Sequence, residues 1–246
     1  MKIAIIGFGR MGKEAASVAK ARGHEVVTID KSGDADFSSV STLSLNGVDV
    51  AIDFSSPESA IENASLCNKH SVNLVMGTTG WYSEMEKMKK SVKGIGFIWS
   101  GNFSIGVNAF FRMLRNAAGI MDKLKEYDVA IVEHHHAGKG DSPSGTAKML
   151  SDIILEKVKR KKRAITERLD RKIAPEEIHV SSVRIGSVPG THAVIFDSPV
   201  DTIELVHTAR GRSGFASGAV MAAEWINGKK GFYTINDLMD GIIGGA

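Results

Sequence analysis

The densest reactive chemistry in the chain lies in one stretch, Glu133-His134-His135-His136-Ala137-Gly138-Lys139-Gly140-Asp141-Ser142-Pro143-Ser144-Gly145-Thr146. Histidine is the side chain that ordinarily gains and loses its proton near neutrality, so this cluster is a candidate proton donor. Lys139 sits between two glycines, on a loop able to carry a cation toward an anion. Ser144-Gly145-Thr146 follows Pro143 and opens a helical run, and a helix N-terminus offers unpaired N–H groups to negative charge. Together these groups suit a carboxylate held beside an acid–base residue. Side chains of successive strand residues point to opposite faces, so three adjacent histidines do not readily converge on one ion. No H-E-x-x-H spacing occurs either, and no metal site is expected. The plain alternative is a solvated histidine cluster with no chemistry.

A second motif stands at the start. Gly7-Phe8-Gly9-Arg10-Met11-Gly12 is a G-x-G-x-x-G sequence directly after a strand-like run and at the head of a helix. Glycine is needed there for a tight turn, for close approach of backbone to a pyrophosphate, and for packing of helix on sheet. The helix end adds free N–H groups and a partial positive charge. Asp30 ends the next strand, at the distance expected of an acid that binds ribose hydroxyls, so a nicotinamide dinucleotide is the expected ligand. Lys31 beside it is either a solvated turn lysine or a partner for the 2′-phosphate of NADPH. Use of both NADH and NADPH is expected.

The elements that must carry these groups read as two patterns. Over residues 1–103, strands at Ile3–Ile6, Val26–Ile29, Val48–Phe54, Val72–Met76 and Phe97–Ser100 alternate with helices, the first from about Arg10 to Arg22 before Gly23. Ser56-Pro57 starts one helix, and Ser83 with Glu86 has capping-box spacing for another. This is a parallel sheet covered by helices, a Rossmann-like α/β domain. Beyond it come a helix from about Val107 to Lys123, a strand Asp128–Glu133, a helix from Ser144 to about Lys162, and strands Ile178–Ile185, His192–Asp197 and Thr202–Ala209. They describe an α+β domain on an open mixed sheet, whose bare face needs cover from another subunit. A small-residue helix, Ser213–Ile226, ends the reading.

Composition narrows the classes. With 43% hydrophobic and 24% charged residues the chain is an ordinary globular one rather than disordered. The single cysteine, Cys67, excludes an internal disulfide and suits a reducing compartment. No apolar run reaches the ~18 residues of a membrane span, and no signal-peptide pattern precedes the first strand, so a cytoplasmic protein is expected. A net charge of +3 is too mild to indicate nucleic acid. The basic run Lys157, Lys159, Arg160, Lys161, Lys162, Arg163 reads as a solvated helix end that complements the macrodipole. It lacks the interleaved aromatics of a single-strand binder.

The histidine segment closely resembles the signature of the dihydrodipicolinate reductase family, in which E-x-H-H precedes K-x-D-x-P-S-G-T. The resemblance runs the length of the chain through Gly7–Gly12, Asp53-Phe54-Ser55, Gly77-Thr78-Thr79-Gly80, Gly101-Asn102-Phe103-Ser104-Ile105-Gly106-Val107-Asn108 and Arg212-Ser213-Gly214-Phe215-Ala216. The family's glycine motif usually has one residue more, G-x-x-G-x-x-G. Counting back from Lys139 and Pro143 puts the proton donor implied by the resemblance at His135 and a substrate contact at His136, with His134 on the variable position. It further implies that Lys139 is a catalytic and carboxylate-binding cation, and that Gly145 and Thr146 bind substrate through their backbone. Ser144, which opens that helix, and Arg212, able to grip a carboxylate with two hydrogen bonds, are further candidate substrate contacts. Phe54, Gly77, Thr78, Thr79, Ser100, Gly101, Asn102 and Phe103 would join Gly7–Gly12, Asp30 and Lys31 around the cofactor. The reaction implied is reduction by NADH or NADPH of dihydrodipicolinate, or its hydroxylated precursor, in lysine and diaminopimelate biosynthesis. The resemblance also implies a homotetramer, with domain limits of 1–103 plus 213–246 and 104–212. The rivals are another small dehydrogenase, such as one acting on aspartate, and an NAD(H)-sensing regulator. The histidine–lysine–P-S-G-T segment opposes the first, and the want of a spare DNA-reading module opposes the second.

Lys31→Ala is expected to raise the KM for NADPH while leaving that for NADH nearly unchanged. Steady-state titration with each cofactor checks this, and equal losses would show that Lys31 does not meet a 2′-phosphate.

Overall fold

The structure is a computed structural model that describes residues 1–244. The chain forms two compact units: Met1–Asn108 together with the chain from Arg212 onward, and Ala109–Gly211.

The first unit is built on β1 (Lys2–Ile6), α1 (Arg10–Ala21), β2 (Glu25–Ile29), β3 (Val50–Asp53), α2 (Pro57–Lys69), β4 (Asn73–Met76), α3 (Met85–Ser91) and β5 (Gly96–Trp99). Apart from the edge strand β2, these strands are short apolar runs, almost wholly buried, as a parallel sheet covered on both faces requires. α4 (Ile105–Met121) contains the boundary between the units. After the second unit the chain returns as α6 (Ser213–Ile226), β11 (Gly231–Thr234) and α7 (Ile235–Ile243). The six-stranded sheet has the order β11-β5-β4-β3-β1-β2 with every pairing parallel. From β1 the chain steps outward to β2, then crosses back to β3 and builds the other way. That reversal opens a crevice at the carboxyl ends of β1 and β3.

α6 packs on α1 and over β3 and β4. Its small residues allow this: a Cβ on Gly218 would lie 1.7 Å from the carbonyl oxygen of Phe103.

The second unit carries β6 (Asp128–His135), α5 (Gly145–Lys157), β7 (Arg163–Ile165), β8 (Glu177–Arg184), β9 (Thr191–Asp197) and β10 (Thr202–Thr208). Its sheet runs β10-β9-β6-β8-β7, with β8 parallel to β6 and to β7, and β9 antiparallel to β6 and β10. On β6, Val129, Ile131, Glu133 and His135 are buried, whereas Ala130, Val132 and His134 on the other face are not. Val183 and Val206 share that less covered face and stay exposed.

Several local expectations give way to tertiary contacts. β6 continues through His135 instead of stopping at Glu133, because it gains a neighbour on each side. The helix from Ser144 ends at Lys157, five residues early, and the basic run is not a solvated helix end. Lys161 is buried, with Nζ 2.8 Å from the Pro175 carbonyl, 2.7 Å from that of Glu177 and 2.5 Å from Asp128 Oδ1. Arg160 donates to the carbonyls of Met121, Asp122 and Tyr127. Loop carbonyls drawn in from water need donors, and these cations supply them. The Ser83/Glu86 capping box does not form: a 3-10 turn over Tyr82–Glu84 leads into α3, which has no side-chain cap. β7, β11 and α7 had no place in the sequence reading. β11 is weakly apolar and becomes a strand only by pairing with β5. α7 begins at a true capping box, Thr234 with Asp237.

Candidate active site

In the first unit the glycine motif opens α1 directly after β1. Gly7 has φ +86°, and a Cβ there would stand 2.5 Å from the Phe54 carbonyl oxygen. On Gly12 a Cβ would be 2.0 Å from the Gly7 carbonyl oxygen, so both positions demand glycine for packing. Gly9 meets nothing within 4 Å and faces open space. The N–H groups of Arg10, Met11 and Gly12 have no protein acceptor among the described residues. Gly9, just before them, lines a cavity of about 740 Å³ together with Gly7, Asp30, Lys31, Ser38 and Phe54. Free donors, an exposed glycine and a carboxylate at a sheet crevice fit a dinucleotide.

Asp30 does more than wait for a ribose. Its Oδ2 accepts the Phe8 N–H at 2.6 Å and its Oδ1 that of Ser32 at 2.8 Å, so the acid also shapes the glycine turn. These donors, the Ser32 N–H foremost, hold the Asp30 carboxyl below its ordinary range. Lys31 is exposed beside it.

The other strand-end turns are braced by buried Asp53. It accepts from Ser55 N–H at 2.8 Å, Ser55 Oγ at 2.6 Å, Thr78 Oγ1 at 2.7 Å and Asn63 Nδ2 at 2.9 Å. Burial pushes its carboxyl up in spite of these donors. Thr78 thus spends its hydroxyl inside the fold, while Thr79 is exposed. Gly77 lies against the Phe54 ring, where a Cβ would be 2.3 Å from Cε1. Ser100 Oγ donates to the Asn102 carbonyl at 2.8 Å, Gly101 is exposed, and Phe103 is a core side chain.

In the second unit the sheet register assembles the chemistry. Glu133 on β6 stands opposite Ser182 on β8 and His192 on β9, and His135 stands opposite Arg184. Glu133 is fully buried. Its Oε1 accepts from Ser182 Oγ at 2.8 Å, Arg184 Nη2 at 3.0 Å and the Ser144 N–H at 3.0 Å. Its Oε2 lies 3.0 Å from His135 Nδ1 and 3.6 Å from His192 Nε2. Ser144 caps α5 by accepting the Ala147 N–H, and its Oγ is 3.1 Å from His192 Nε2. The N–H groups of Gly145 and Thr146 have no acceptor among the described residues, so the helix end is free to bind an anion. Lys139 is paired with Asp141 at 2.6 Å. His136 is half-buried and stands outside the Glu133 network, and His134 lies on the opposite face of the sheet.

Electrostatics separates the histidines. Burial is the main force lowering His135, opposed by the Glu133 charge and reinforced by Lys139 and Arg184. His192, more deeply buried and beside His135, falls to about 4 and is neutral at working pH. Burial disfavours ionised Glu133, but the donors from Ser144, Ser182 and Arg184 outweigh it and hold the carboxyl at about 2. Glu133, His135 and His192 have ligand atoms within 4.8 Å of one another, as a metal centre would. Arg184 and two serine donors already fill Oε1 of the carboxylate, however, and a cation would meet that guanidinium. The donor set fits a proton network.

The family models for dihydrodipicolinate reductase match both parts of the chain, the N-terminal one over residues 1–103 and the C-terminal one over residues 106–239. The 4-hydroxy-tetrahydrodipicolinate reductase of Christiangramia forsetii is 41% identical over 244 residues, covering 97% of this chain and 98% of the relative. That of Archaeoglobus fulgidus is 39% identical over 262 residues, covering 98% and 100%. The chain belongs to the dihydrodipicolinate reductase family. It is accordingly an NAD(P)H-dependent oxidoreductase, with the nucleotide unit at its N-terminus. The fold agrees: a dipicolinate-bound dihydrodipicolinate reductase from Paenisporosarcina sp. TG-14 superposes with a TM-score of 0.80 at 24% identity, covering 97% of this chain and 99% of that one.

Sequence reasoning picked out the histidine segment of this reductase and missed Glu133, Ser182, Arg184 and His192 as site residues. Glu133 was findable, since residues two apart on a strand share a face. His192 was not, because only the β6–β9 register brings it there. Arg212, an exposed residue just before α6, belongs to the first unit.

His135→Gln is expected to fold normally and lose roughly 10²–10⁴-fold in turnover, the usual worth of a positioned general acid. His134→Gln, on the opposite face, should change turnover little. Rate measurements that reversed the two would show the histidine register to be off by one residue.

Proposed function

We propose that this reductase converts 4-hydroxy-tetrahydrodipicolinate, or the dihydrodipicolinate ring left when it loses water, to tetrahydrodipicolinate in lysine and diaminopimelate biosynthesis. The observation that carries the reading is the juxtaposition of His135 with the free end of α5, a proton donor next to a carboxylate cradle. NADH or NADPH, bound through Gly7–Gly12 and Asp30, supplies the hydride to an unsaturated carbon conjugated with the ring imine. His135 gives its proton to the neighbouring carbon, which restores the imine. The N–H groups of Gly145 and Thr146 hold one carboxylate of the substrate. Lys139 exchanges Asp141 for the other, with His136 beside it; Arg212 is a separate candidate for a bidentate carboxylate grip. Charge entering a partly dry site needs such donors, because unpaired it would be very costly.

A homotetramer suits the second-unit sheet, whose less covered face presents Val132, Val183, Ile195 and Val206. A cytoplasmic place suits both the substrate and the buried thiol of Cys67. Among the described residues no helix is long and apolar enough to cross a membrane.

Oxidation of NADH and NADPH should be rapid with the product of dihydrodipicolinate synthase and slow with iminoaspartate. The reverse preference would overturn the substrate assignment. Lys139→Met and Arg212→Met should each raise the substrate KM steeply, Lys139→Met also lowering turnover, with NADH binding almost untouched. Either variant binding pyridine-2,6-dicarboxylate as tightly as the parent would remove that residue from the carboxylate site. Light scattering of the purified protein should return the mass of four chains, and a monomer at micromolar concentration would exclude the tetramer.

A further inference from the structure

The mechanism above uses His135 and the free end of α5 but not the carboxylate that joins them. Glu133 Oε2 and His135 Nδ1 are both buried, and neither has a partner that satisfies hydrogen-bond geometry. They lie 3.0 Å apart, within pairing distance but out of line. The other oxygen of Glu133 is fully engaged, and one of its donors is the N–H of Ser144, the cap of α5. His192 Nε2 lies further from Oε2, at 3.6 Å, and is 3.1 Å from Ser144 Oγ. A buried carboxylate anchored on one side and closest to one imidazole nitrogen selects which ring nitrogen keeps its proton. Catalytic hydrogen bonds are often loose before substrate binds, so the misalignment does not argue against the pair. The opposite nitrogen, Nε2, faces Gly190, where a Cβ would stand 2.9 Å away; only a residue without a side chain leaves that nitrogen uncovered.

We propose that Glu133 is the positioning residue of the proton donor: it keeps a proton on Nδ1 of His135 in both charge states, so that the proton transferred leaves from Nε2, and through Ser144 it fixes that nitrogen relative to the carboxylate cradle of α5. The inference rests on the reading of His135 as the donor. The charges facing His135 are Glu133 on its own strand, Lys139 and Asp141 on the following loop, Arg184 on β8 and His192 on β9. Of the two carboxylates, Glu133 has the larger effect in favour of the imidazolium. His192, neutral at working pH, leaves that role to Glu133.

Glu133→Gln is the test, since it keeps an oxygen for Ser144, Ser182 and Arg184 and replaces the open oxygen by an N–H donor. Turnover should fall roughly 10²-fold or more, within the range of general-acid effects, with substrate KM little changed. With the counter-charge gone, the pH above which turnover declines should move down. In a His135→Gln background the same change should cost nothing further, because both substitutions remove one function. Losses that multiply, or an unmoved pH profile, would make Glu133 merely structural. Full activity in Glu133→Gln with impaired His135→Gln would sink this proposal alone, whereas full activity in His135→Gln would sink the donor assignment itself. Should Glu133→Gln not fold, ¹⁵N resonances of the unsubstituted enzyme decide the matter, with His135 assigned by its loss in His135→Gln. The neutral ring should be the Nδ1–H tautomer, and the Nε2–H tautomer would overturn the proposal.

Discussion

A carboxylate drawn out of water must be surrounded by donors, and the burial of Glu133 at the middle of the second sheet governs what stands around it. Ser182 and His192 are its direct neighbours on the two flanking strands, Arg184 arrives one pleat further on, and Ser144 reaches in from the cap of α5. Two of these features also locate groups of the proposed site. The strand that buries Glu133 buries His135 two residues later, and the helix cap that donates to Glu133 begins the cradle offered by Gly145 and Thr146. The network therefore braces the positions proposed for the proton donor and for one carboxylate. The site is adjustable where Lys139 rides a glycine loop and already holds an exchangeable anion in Asp141.

The nucleotide unit solves a related problem with a second buried acid. Asp53 ties the end of β3 to the Gly77-Thr78 turn and to α2, as four donors converge on one carboxylate. Asp30, nearer the surface, ties the end of β2 to the glycine turn through the Phe8 N–H. Strand ends in a parallel sheet leave backbone groups unpaired, and these acids organise them into turns that face the crevice. The glycines then serve close approach, since Gly7 and Gly12 are packed against backbone while Gly9 is left open.

What sequence reasoning missed has one physical character. Lys161 carries a charge that local pattern assigns to solvent, yet three oxygen atoms of the second unit enclose it. β11 has too little apolar alternation to announce a strand, and the edge of β5 makes it one. Ser83 and Glu86 have the right spacing for a cap, but the chain enters α3 through a 3-10 turn and the box has no helix start to close. In each case a partner far along the chain, or a neighbouring turn, outbids the local preference.

Local chemistry did determine much. Apolar runs of four or five residues broken by helical periodicity specify a parallel sheet, because only burial on both faces tolerates them. The G-x-G-x-x-G turn and Asp30 specify a dinucleotide site, because their function depends on backbone conformation a few residues away. The histidine segment, with Lys139 and the Ser144–Thr146 helix start, points to the proposed donor beside the proposed anion cradle for the same reason. Strand register lies beyond such reach. Which residue of β9 faces Glu133, and hence that His192 and not another side chain completes the network, depends on pairing between segments some sixty residues apart. A slip of one residue would turn each side chain to the other face with no change in the local pattern, so only the folded sheet decides it.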